Sequence, residues 1–392
     1  MLLSGLALGL ILGFVFQRGR FCVTGAFRDI WLSGSLRWFT AFLAAIAVQA
    51  ILVNAMIGAG LISPSIPTLA LSAVVGGSFL FGIGIVLAGG CAPGTYYRSG
   101  EGLIGSWIAL ALYAFTASVM KNGLGAELTA SARDAERAPT TIQDSFGVSV
   151  WLLVGLLVIA TIALVMRESA RRTAAPATLA ARRSGLAHLL LERAWSPLAT
   201  ALIVGVIAAA AFPLPEATGR ASGLGITTPS ADIVQFFMTG DLALIDWGVL
   251  FVLGIIPGSY IAAKASGEFR LRAPDARTAV RAVAGGTLMG VGAALAGGCT
   301  IGNSLVQTAL FSWQGWIALL FTFLGVGAGV RLFITTHRRA GAEPVPLTAA
   351  PAAAPATAAN RAEAARQAAT SGQAAPAGQA PVLQRISGPN RP

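Results

Sequence analysis

Long stretches without a charged side chain are the feature of this sequence that most restricts its fold. A transmembrane helix needs about 20 consecutive, mostly apolar residues, and the charge-free stretches here reach or approach that length. The last one, 282–330, is 49 residues long, so we divide it into two helices separated by residues 299–315. Nine membrane-spanning helices are therefore predicted, at residues 2–17, 38–60, 67–97, 102–120, 145–166, 194–215, 247–263, 282–298 and 316–330.

The composition supports an all-α polytopic membrane protein. Of the 392 residues, 55% are hydrophobic and only 11% are charged, whereas soluble domains carry about 25% charged residues. That difference excludes an ordinary soluble enzyme and a disordered protein. With three Cys and two His that do not cluster, we expect no disulfide scaffold, no metal and no cofactor.

The positive charges lie mostly in loops, and their positions predict an orientation. The net charge is +11, but its distribution fits the positive-inside rule better than nucleic-acid binding, so no nucleic-acid partner is expected. With the N-terminus outside, the predicted inner loops hold 16 of the 27 Lys and Arg residues, and the outer loops hold four. The C-terminal region holds seven more, so we expect the C-terminus in the cytoplasm.

A short motif occurs twice and predicts an internal repeat. Residues 82–94 read GIGIVLAGGCAPG and residues 290–302 read GVGAALAGGCTIG, with eight of 13 positions identical. Five predicted spans separate the two copies, so they cross the membrane in opposite directions, as in the inverted repeats of many transporters. A weaker match between 32–36 and 238–242 places Thr228 at the position of Cys22.

The repeat defines the expected domain organisation. Residues 1–335 form one transmembrane domain of four, one and four spans. Its first repeat covers about 1–121, its linking helix about 145–166 and its second repeat about 194–335. Residues 336–392 are rich in Ala and Pro without an apolar period, so we expect a disordered cytoplasmic tail.

All three cysteines occur in the same local pattern, Cys-x-x-Gly, just after a predicted span. The stretches 94–101 and 302–312 are too short to cross a bilayer, so we expect re-entrant half-helices there. Glycines allow backbone amides to approach a solute, and a helix N-terminus favours anions. A thiol adds a weak hydrogen-bond donor with a polarizable surface. These features predict a binding site for a small anion, and the sulfur atoms suggest a sulfur-bearing one.

Three polar side chains near these motifs are further candidates. Arg98 and Glu101 interrupt an apolar stretch close to Cys91, where an ionisable residue is a candidate by default; a loop ion pair is the alternative. Asn303 follows Cys299 and could bind an anion or bridge helices. The predicted solute-binding residues are Cys22, Cys91, Cys299, Gly90, Gly94, Gly298, Gly302, Arg98, Glu101 and Asn303.

Four segments resemble the YeeE/YedE family of membrane proteins. They are GRFCVTGAFRD at 19–29, LAGGCAPGTYYRSGEGLIGSW at 87–107, SGEFRLR at 266–272 and LAGGCTIGNSL at 295–305. The resemblance covers about residues 1–335. It implies a bacterial inner-membrane protein with nine spans, inverted repeats, short re-entrant helices and an hourglass shape. It also implies passage of thiosulfate along Cys22, Cys91 and Cys299 by transient hydrogen bonds, with Cys91 at the constriction. A small cytoplasmic sulfur carrier of the TusA type often accompanies the family.

From the residues and the resemblance together, we expect an importer of thiosulfate or a closely related sulfur anion, and not an enzyme. Cys299 would meet the solute from outside, Cys91 would lie at the constriction and Cys22 near the cytoplasm. Three alternatives stay open. They are a sulfurtransferase that forms a persulfide on Cys91, a membrane anchor for a sulfur-carrier complex, and a transporter of another sulfur or selenium species.

Overall fold

A computed structural model describes residues 2–134, 140–170, 184–216 and 222–335 of the chain. The described residues form helices, and no strand occurs among them. Nine helical segments of this part are long and apolar enough to cross a bilayer. The prediction of an all-α polytopic membrane protein with nine spans is therefore confirmed. The predicted tail, 336–392, lies outside the described residues.

The helices are numbered here in chain order. They are α1 (Leu2–Gly19), α2 (Val23–Ser33), α3 (Arg37–Gly58), α4 (Leu71–Leu87), α5 (Ala92–Gly100), α6 (Ile104–Asn122), α7 (Ala126–Asp134), α8 (Ile142–Phe146), α9 (Val150–Ala170), α10 (Gly185–Ala187), α11 (Pro197–Ala210), α12 (Pro213–Glu216), α13 (Thr227–Thr239), α14 (Trp247–Ser266), α15 (Ala276–Ala296) and α16 (Trp313–Val330). Short π-helical or 3₁₀ turns occupy His188–Glu192, Leu242–Leu244, Gly302–Gln307 and Arg331–Thr335.

Both copies of the repeated motif interrupt a helix. The predicted span 67–97 is not one helix, because α4 ends at Leu87 and α5 begins at Ala92. Gly89 has φ 71° and its counterpart Gly297, just after α15, has φ 76°. This left-handed conformation favours glycine and ends a helix. The Gly-Gly-Cys sequence is therefore the local cause of both breaks.

Helices α4 and α15 pack side by side in opposite directions. Gly77, near the start of α4, contacts Gly292 near the end of α15, while Gly285 contacts Ala88 at the other end. Small residues at these contacts let the two backbones approach closely. The two cysteine breaks therefore lie at opposite ends of the pair, which agrees with the opposite directions expected for the two copies. The symmetry of the whole 4+1+4 arrangement and the re-entrant depth of the short helices stay predictions.

A second close pair, α1 and α14, is parallel. Gly9 contacts Phe251 and Gly254, and Gly258 contacts Leu10. Because the two helices run in the same direction, the residues that follow α1 lie at the same end of the molecule as those that follow α14. This arrangement brings Gln17 next to Glu268.

Helix α9 lies at the edge of the helix bundle. It packs mainly on α3, and only Val154, Leu157 and Thr161 are buried among its residues. Up to Met166, its exposed side chains are apolar, among them Leu156 and Ile159. An apolar helix of this kind suits contact with lipid, as expected of the linking helix predicted near 145–166.

The weaker sequence match also has a structural counterpart. Gly34 ends α2 with φ 68°, and Gly240 ends α13 with φ 72°. In that register Thr228 is the second residue of α13, whereas Cys22 directly precedes α2. The two short helices therefore end in the same way but begin differently.

Candidate functional site

Two cysteines from distant parts of the sequence meet inside the protein. The Sγ atoms of Cys22 and Cys91 lie 3.6 Å apart, and all three cysteines are buried free thiols. Cys22 is the N-cap of α2, and Cys91 is the N-cap of α5. Two helix N-termini therefore converge on this sulfur pair, where their unpaired N–H groups and partial positive charge favour an anion.

Backbone N–H groups lie near both sulfur atoms. Those of Gly25 and Cys91 approach the Cys22 thiol, and those of Thr24 and Gly94 approach the Cys91 thiol. Neither cysteine side chain makes a capping hydrogen bond with its own helix. These N–H groups are therefore weakly engaged and can donate to the oxygen or sulfur atoms of a solute.

Glycines create the space around the sulfur pair. A Cβ atom on Gly94 would lie 3.0 Å from Sγ of Cys22 and 3.3 Å from Sγ of Cys91. One on Gly90 would lie 3.4 Å from Nη1 of Arg98. Gly302, the counterpart of Gly94, faces open space with no atom within 4 Å of such a Cβ. The structure therefore places Gly90 and Gly94 beside the sulfur pair, whereas Gly302 has open space next to it.

Arg98 supplies positive charge beside the pair. Its Nη1 donates to the carbonyl oxygen of Gly89, in the break between α4 and α5. Its guanidinium carbon lies 5.8 Å from the centre of the Tyr97 ring. The charge of Arg98 also acts on the sulfur of Cys22. An anion at the sulfur pair would therefore meet a cation there.

Glu101 lies at the other end of α5, in a network of polar side chains. Its Oε1 accepts from Nε2 of Gln17 at 3.2 Å and pairs with Nη1 of Arg20 at 2.7 Å. The same two side chains reach Oε2 of Glu268, at 2.6 and 2.8 Å. Burial raises the pKa of Glu101, while Arg20 and Gln17 oppose the rise. A carboxylate held in this way neutralises an arginine, as the ion-pair alternative expects, and the solute-binding role of Glu101 stays a prediction.

Cys299 contacts a different set of side chains. The hydroxyl of Tyr113 lies near its thiol and donates to Oγ1 of Thr227 at 2.9 Å. Tyr96, on α5, hydrogen-bonds Ser230 at 2.8 Å and also lies within electrostatic range of Cys299. Tyrosine hydroxyls thus connect the surroundings of Cys299 to α5. Tyr113 was not predicted from the sequence, although it is the one tyrosine within the charge-free span 102–120.

Asn303 supports the second break. Its Nδ2 donates to the carbonyl oxygens of Ala296 and Gly298, at 2.9 and 3.1 Å. Its Oδ1 accepts from Gln314 at 2.9 Å. A Cβ on Gly298 would lie only 2.9 Å from that oxygen. Asn303 and Gly298 therefore hold the loop before Cys299. This arrangement agrees with the alternative that Asn303 bridges helices.

Two threonines next to the cysteines carry unsatisfied hydroxyls. Thr24 and Thr300 are 2% and 1% exposed, and within the described residues neither Oγ1 atom has a hydrogen-bond partner. A buried hydroxyl without a partner is costly. Both hydroxyls are therefore candidate donors to a solute. The sequence signal was only their position within the Cys-x-x-Gly segments.

A cavity of about 330 Å³ opens beside the second break. It is lined by Lys121, Arg133, Thr227 and Gly297 among others, and by no acidic residue. Nη1 of Arg133 donates to the carbonyl oxygen of Leu295 at 3.1 Å. Burial lowers the pKa of Arg133, but an arginine remains charged in proteins. This basic cavity lies at the opposite end of α6 from the Glu101 network and was not predicted.

The groups collected at the site are hydrogen-bond donors and cations. They are suited to binding an anion rather than a metal, and within the described ranges no three Cys, His, Asp or Glu residues are grouped so as to hold a metal ion. A set of thiols, amides, hydroxyls and guanidinium groups can replace part of the hydration shell of a small anion.

The sequence of this chain matches one protein family and several individual transporters. The family described as Sulphur transport matches residues 18–328. The chain is 50% identical over 341 residues to the thiosulfate transporter TsuA of Escherichia coli strain K12, covering 87% of this chain and 97% of the relative. It is 32% identical over 339 residues to the thiosulfate transporter TsuA of Spirochaeta thermophila, covering 83% and 97%.

A shorter match is to the probable transporter YedE of Salmonella typhimurium. The two are 42% identical over 105 residues, which is 26% of each chain. This match agrees with the resemblance found in the sequence motifs. Because the family match spans residues 18–328 and both full-length relatives align over most of their length, the chain belongs to the Sulphur transport family, also called YeeE/YedE.

Proposed function

We propose that this protein transports thiosulfate across a membrane. The observation that carries the proposal is the buried sulfur pair of Cys22 and Cys91, 3.6 Å apart, at two converging helix N-termini. Two relatives that cover most of the chain are named thiosulfate transporters. Thiosulfate is a small divalent anion with a terminal sulfur, so amides and cations suit its charge and thiols suit its sulfur.

The proposed pathway begins in the basic cavity lined by Lys121 and Arg133. From there the anion would pass Cys299 and Tyr113, and then the sulfur pair with Arg98. Thiol contacts give a modest stabilisation, of the order of 1 kcal/mol per hydrogen bond. Burying an unpaired charge costs far more, so the amides and guanidinium groups must supply most of the stabilisation. Several weak sites in series let the ion bind and also leave.

We also propose that the basic cavity faces the outside of a bacterial inner membrane. This orientation has the N-terminus outside and the C-terminus in the cytoplasm. It is supported by the excess of Lys and Arg in the loops at the opposite end. A TusA-like carrier protein that accepts the sulfur compound in the cytoplasm would then meet the end that carries Glu101 and Glu268.

The rival functions differ in what they would release. A sulfurtransferase with a persulfide on Cys91 would leave sulfite behind, whereas a transporter delivers intact thiosulfate. The match to a transport family and to named transporters favours the second. Transport of a different sulfur or selenium anion would use the same groups, so it is tested by competition.

The test is uptake of ³⁵S-labelled thiosulfate into sealed vesicles that contain the wild type, Cys91→Ala or Cys91→Ser. We expect saturable uptake in the wild type, no uptake with Cys91→Ala, and weak uptake with Cys91→Ser, because a hydroxyl still donates a hydrogen bond. Equal insertion of the three proteins is checked by detergent extraction and size-exclusion chromatography. Selenite and sulfate serve as competitors, and sulfite is measured in parallel.

Sulfite released in equal amount to the thiosulfate consumed would overturn the transport proposal in favour of the enzyme. Unchanged uptake by Cys91→Ala would overturn the role of the sulfur pair. Stronger competition by selenite than by unlabelled thiosulfate would identify a different substrate.

A further inference from the structure

Arg20 has an unusual backbone conformation directly before the Cys22 site. Its φ is +51°, and among the described residues only Phe311 shares a positive φ without being glycine. Such a conformation is uncommon for a residue with a long side chain and persists only when its surroundings impose it. At Arg20 this backbone conformation accompanies a guanidinium that bridges two carboxylates, 2.7 Å from Glu101 and 2.8 Å from Glu268.

The two arginines on either side of Gly19 are held in different ways. Arg18 is buried, and it donates to the backbone carbonyl oxygens of Leu190 and Arg193 as well as pairing with Glu268. The side chain of Arg20 is 51% exposed, and its hydrogen bonds in the described structure go to the two carboxylates. Arg18 is therefore fixed by the fold. Arg20 is half-exposed, and its pair with Glu268, which is 39% exposed, is of the weak, solvent-exposed kind.

The ion pairs of Arg20 lie close in sequence to both cysteines of the sulfur pair. Cys22 follows Arg20 by two residues, and Glu101 ends the short helix that begins after Cys91. Arg98 acts electrostatically on both the Cys22 thiol and the Glu101 carboxyl. An anion leaving the sulfur pair toward this end therefore meets two carboxylates that repel it and an arginine that those carboxylates occupy.

We propose that Arg20, Glu101 and Glu268 form an ion-pair latch on the pathway beyond Cys22, which opens when the guanidinium of Arg20 exchanges its carboxylate partners for the departing anion. This inference rests on the proposed transport function and deepens it. Arg20 then contacts the anion directly during release. The carboxylates compete with the anion for Arg20, so the two charges have opposite effects on anion binding.

In a latch, removing Arg20 and removing a carboxylate should change anion binding in opposite directions. In a merely structural ion pair, the two substitutions should have the same effect. Uptake of labelled thiosulfate is measured in everted and right-side-out membrane vesicles, which present opposite faces of the full-length protein to the medium. The variants are Arg20→Asn, because asparagine tolerates a left-handed backbone, and Glu268→Gln. Arg270→Gln removes an exposed charge from the loop that carries Glu268 and serves as the matched control.

At the face that carries Glu268, we expect Arg20→Asn to raise the half-saturating thiosulfate concentration by about tenfold, the usual value of a charged hydrogen bond. Glu268→Gln should lower it by about threefold, because a weak exposed pair no longer competes. Arg270→Gln should stay within about twofold of wild type. At the other face, all three should resemble wild type. A shift of Arg20→Asn and Glu268→Gln in the same direction, or no shift in either, overturns the latch.

A second measurement does not depend on transport. The rate at which N-ethylmaleimide modifies Cys22 is followed by peptide mass spectrometry, with Cys299 as the internal reference. The latch predicts faster modification of Cys22 in Arg20→Asn and in Glu268→Gln, and wild-type rates in Arg270→Gln. If the wild type fails to transport thiosulfate, the proposed function fails while this labelling still decides the latch. Equal Cys22 rates in all four proteins overturn it.

Discussion

The backbone of Gly94 lies so close to the sulfur of Cys22 that a single added Cβ would come within 3.0 Å of it. The two residues belong to different helices, α5 and α2, whose N-termini converge. A glycine at this position therefore sets the width of the sulfur site.

Substituting Gly94 should narrow the pathway without unfolding the protein. In Gly94→Ala the new methyl group would press on both thiols, and we expect thiosulfate uptake to fall by at least about tenfold, which corresponds to about 1.4 kcal/mol. Gly302→Ala is the matched control, because a Cβ there meets no atom within 4 Å. Equal loss of uptake in the two variants would contradict the geometry of the sulfur pair.

The proximity of Cys22 and Cys91 predicts selective oxidation. Their sulfurs are 3.6 Å apart, and a disulfide needs about 2.05 Å, so a small movement permits a bond between them. Treatment with diamide, which accepts the two electrons and two protons of the thiols, should cross-link these two cysteines and leave Cys299 free. Uptake should fall and recover with dithiothreitol. Peptide mapping checks the pairing, and Cys22→Ser should abolish the diamide effect on whatever uptake that variant retains.

Lys121 should influence capture of the anion rather than its passage. It lines the basic cavity near the second break together with Arg133. We expect Lys121→Gln to raise KM for thiosulfate by about three- to tenfold at low ionic strength, with little change in maximal rate. The difference from wild type should shrink as salt is added, because mobile ions screen exposed charges. A lower maximal rate with unchanged KM would show that Lys121 acts on passage of the anion and not on its capture.

Glu101 should give the stability a recognisable pH dependence. Burial raises its pKa in the folded protein, so the folded state keeps its proton at a pH where the unfolded chain has lost it. The contribution of Glu101 to stability is then complete below the ordinary carboxyl pKa and declines as pH rises through the raised value. Tm of the wild type minus that of Glu101→Gln, measured in detergent, should fall across this window and level off above it. A difference that increases with pH would show that the ion pair with Arg20 outweighs burial.

Asn303 should matter for stability more than for binding. Its amide makes three hydrogen bonds around the second break, and its loss leaves the amide of Gln314 without that partner. We expect Asn303→Ala to lower the free energy of unfolding by about 1–3 kcal/mol, measured by thermal unfolding in detergent. KM for thiosulfate should stay within about twofold. A large increase in KM at unchanged stability would return Asn303 to the solute-binding role predicted from the sequence.

The sequence by itself determined the helices and the places where they break. Nine spans follow from charge-free stretches, because each helix must satisfy its own backbone in lipid. The breaks at Cys91 and Cys299 follow from Gly-Gly pairs, because Gly89 and Gly297 adopt a left-handed conformation that other residues avoid. These local properties predicted the nine spans and the short helical segments after Cys91 and Cys299. They did not predict the end of α4 at Leu87 within the stretch 67–97, nor the short helices α2 and α13.

Only the tertiary structure decided which side chains meet. The contact between Cys22 and Cys91, the hydroxyl of Tyr113 at Cys299, and the bridge from Arg20 to Glu101 and Glu268 each join residues from different helices. Such contacts depend on helix directions and on close packing at glycines, as between α1 and α14. Sequence patterns fix the faces of a helix, but not the partner against which each face packs, because lipid is as apolar as a neighbouring helix and close packing selects the partner.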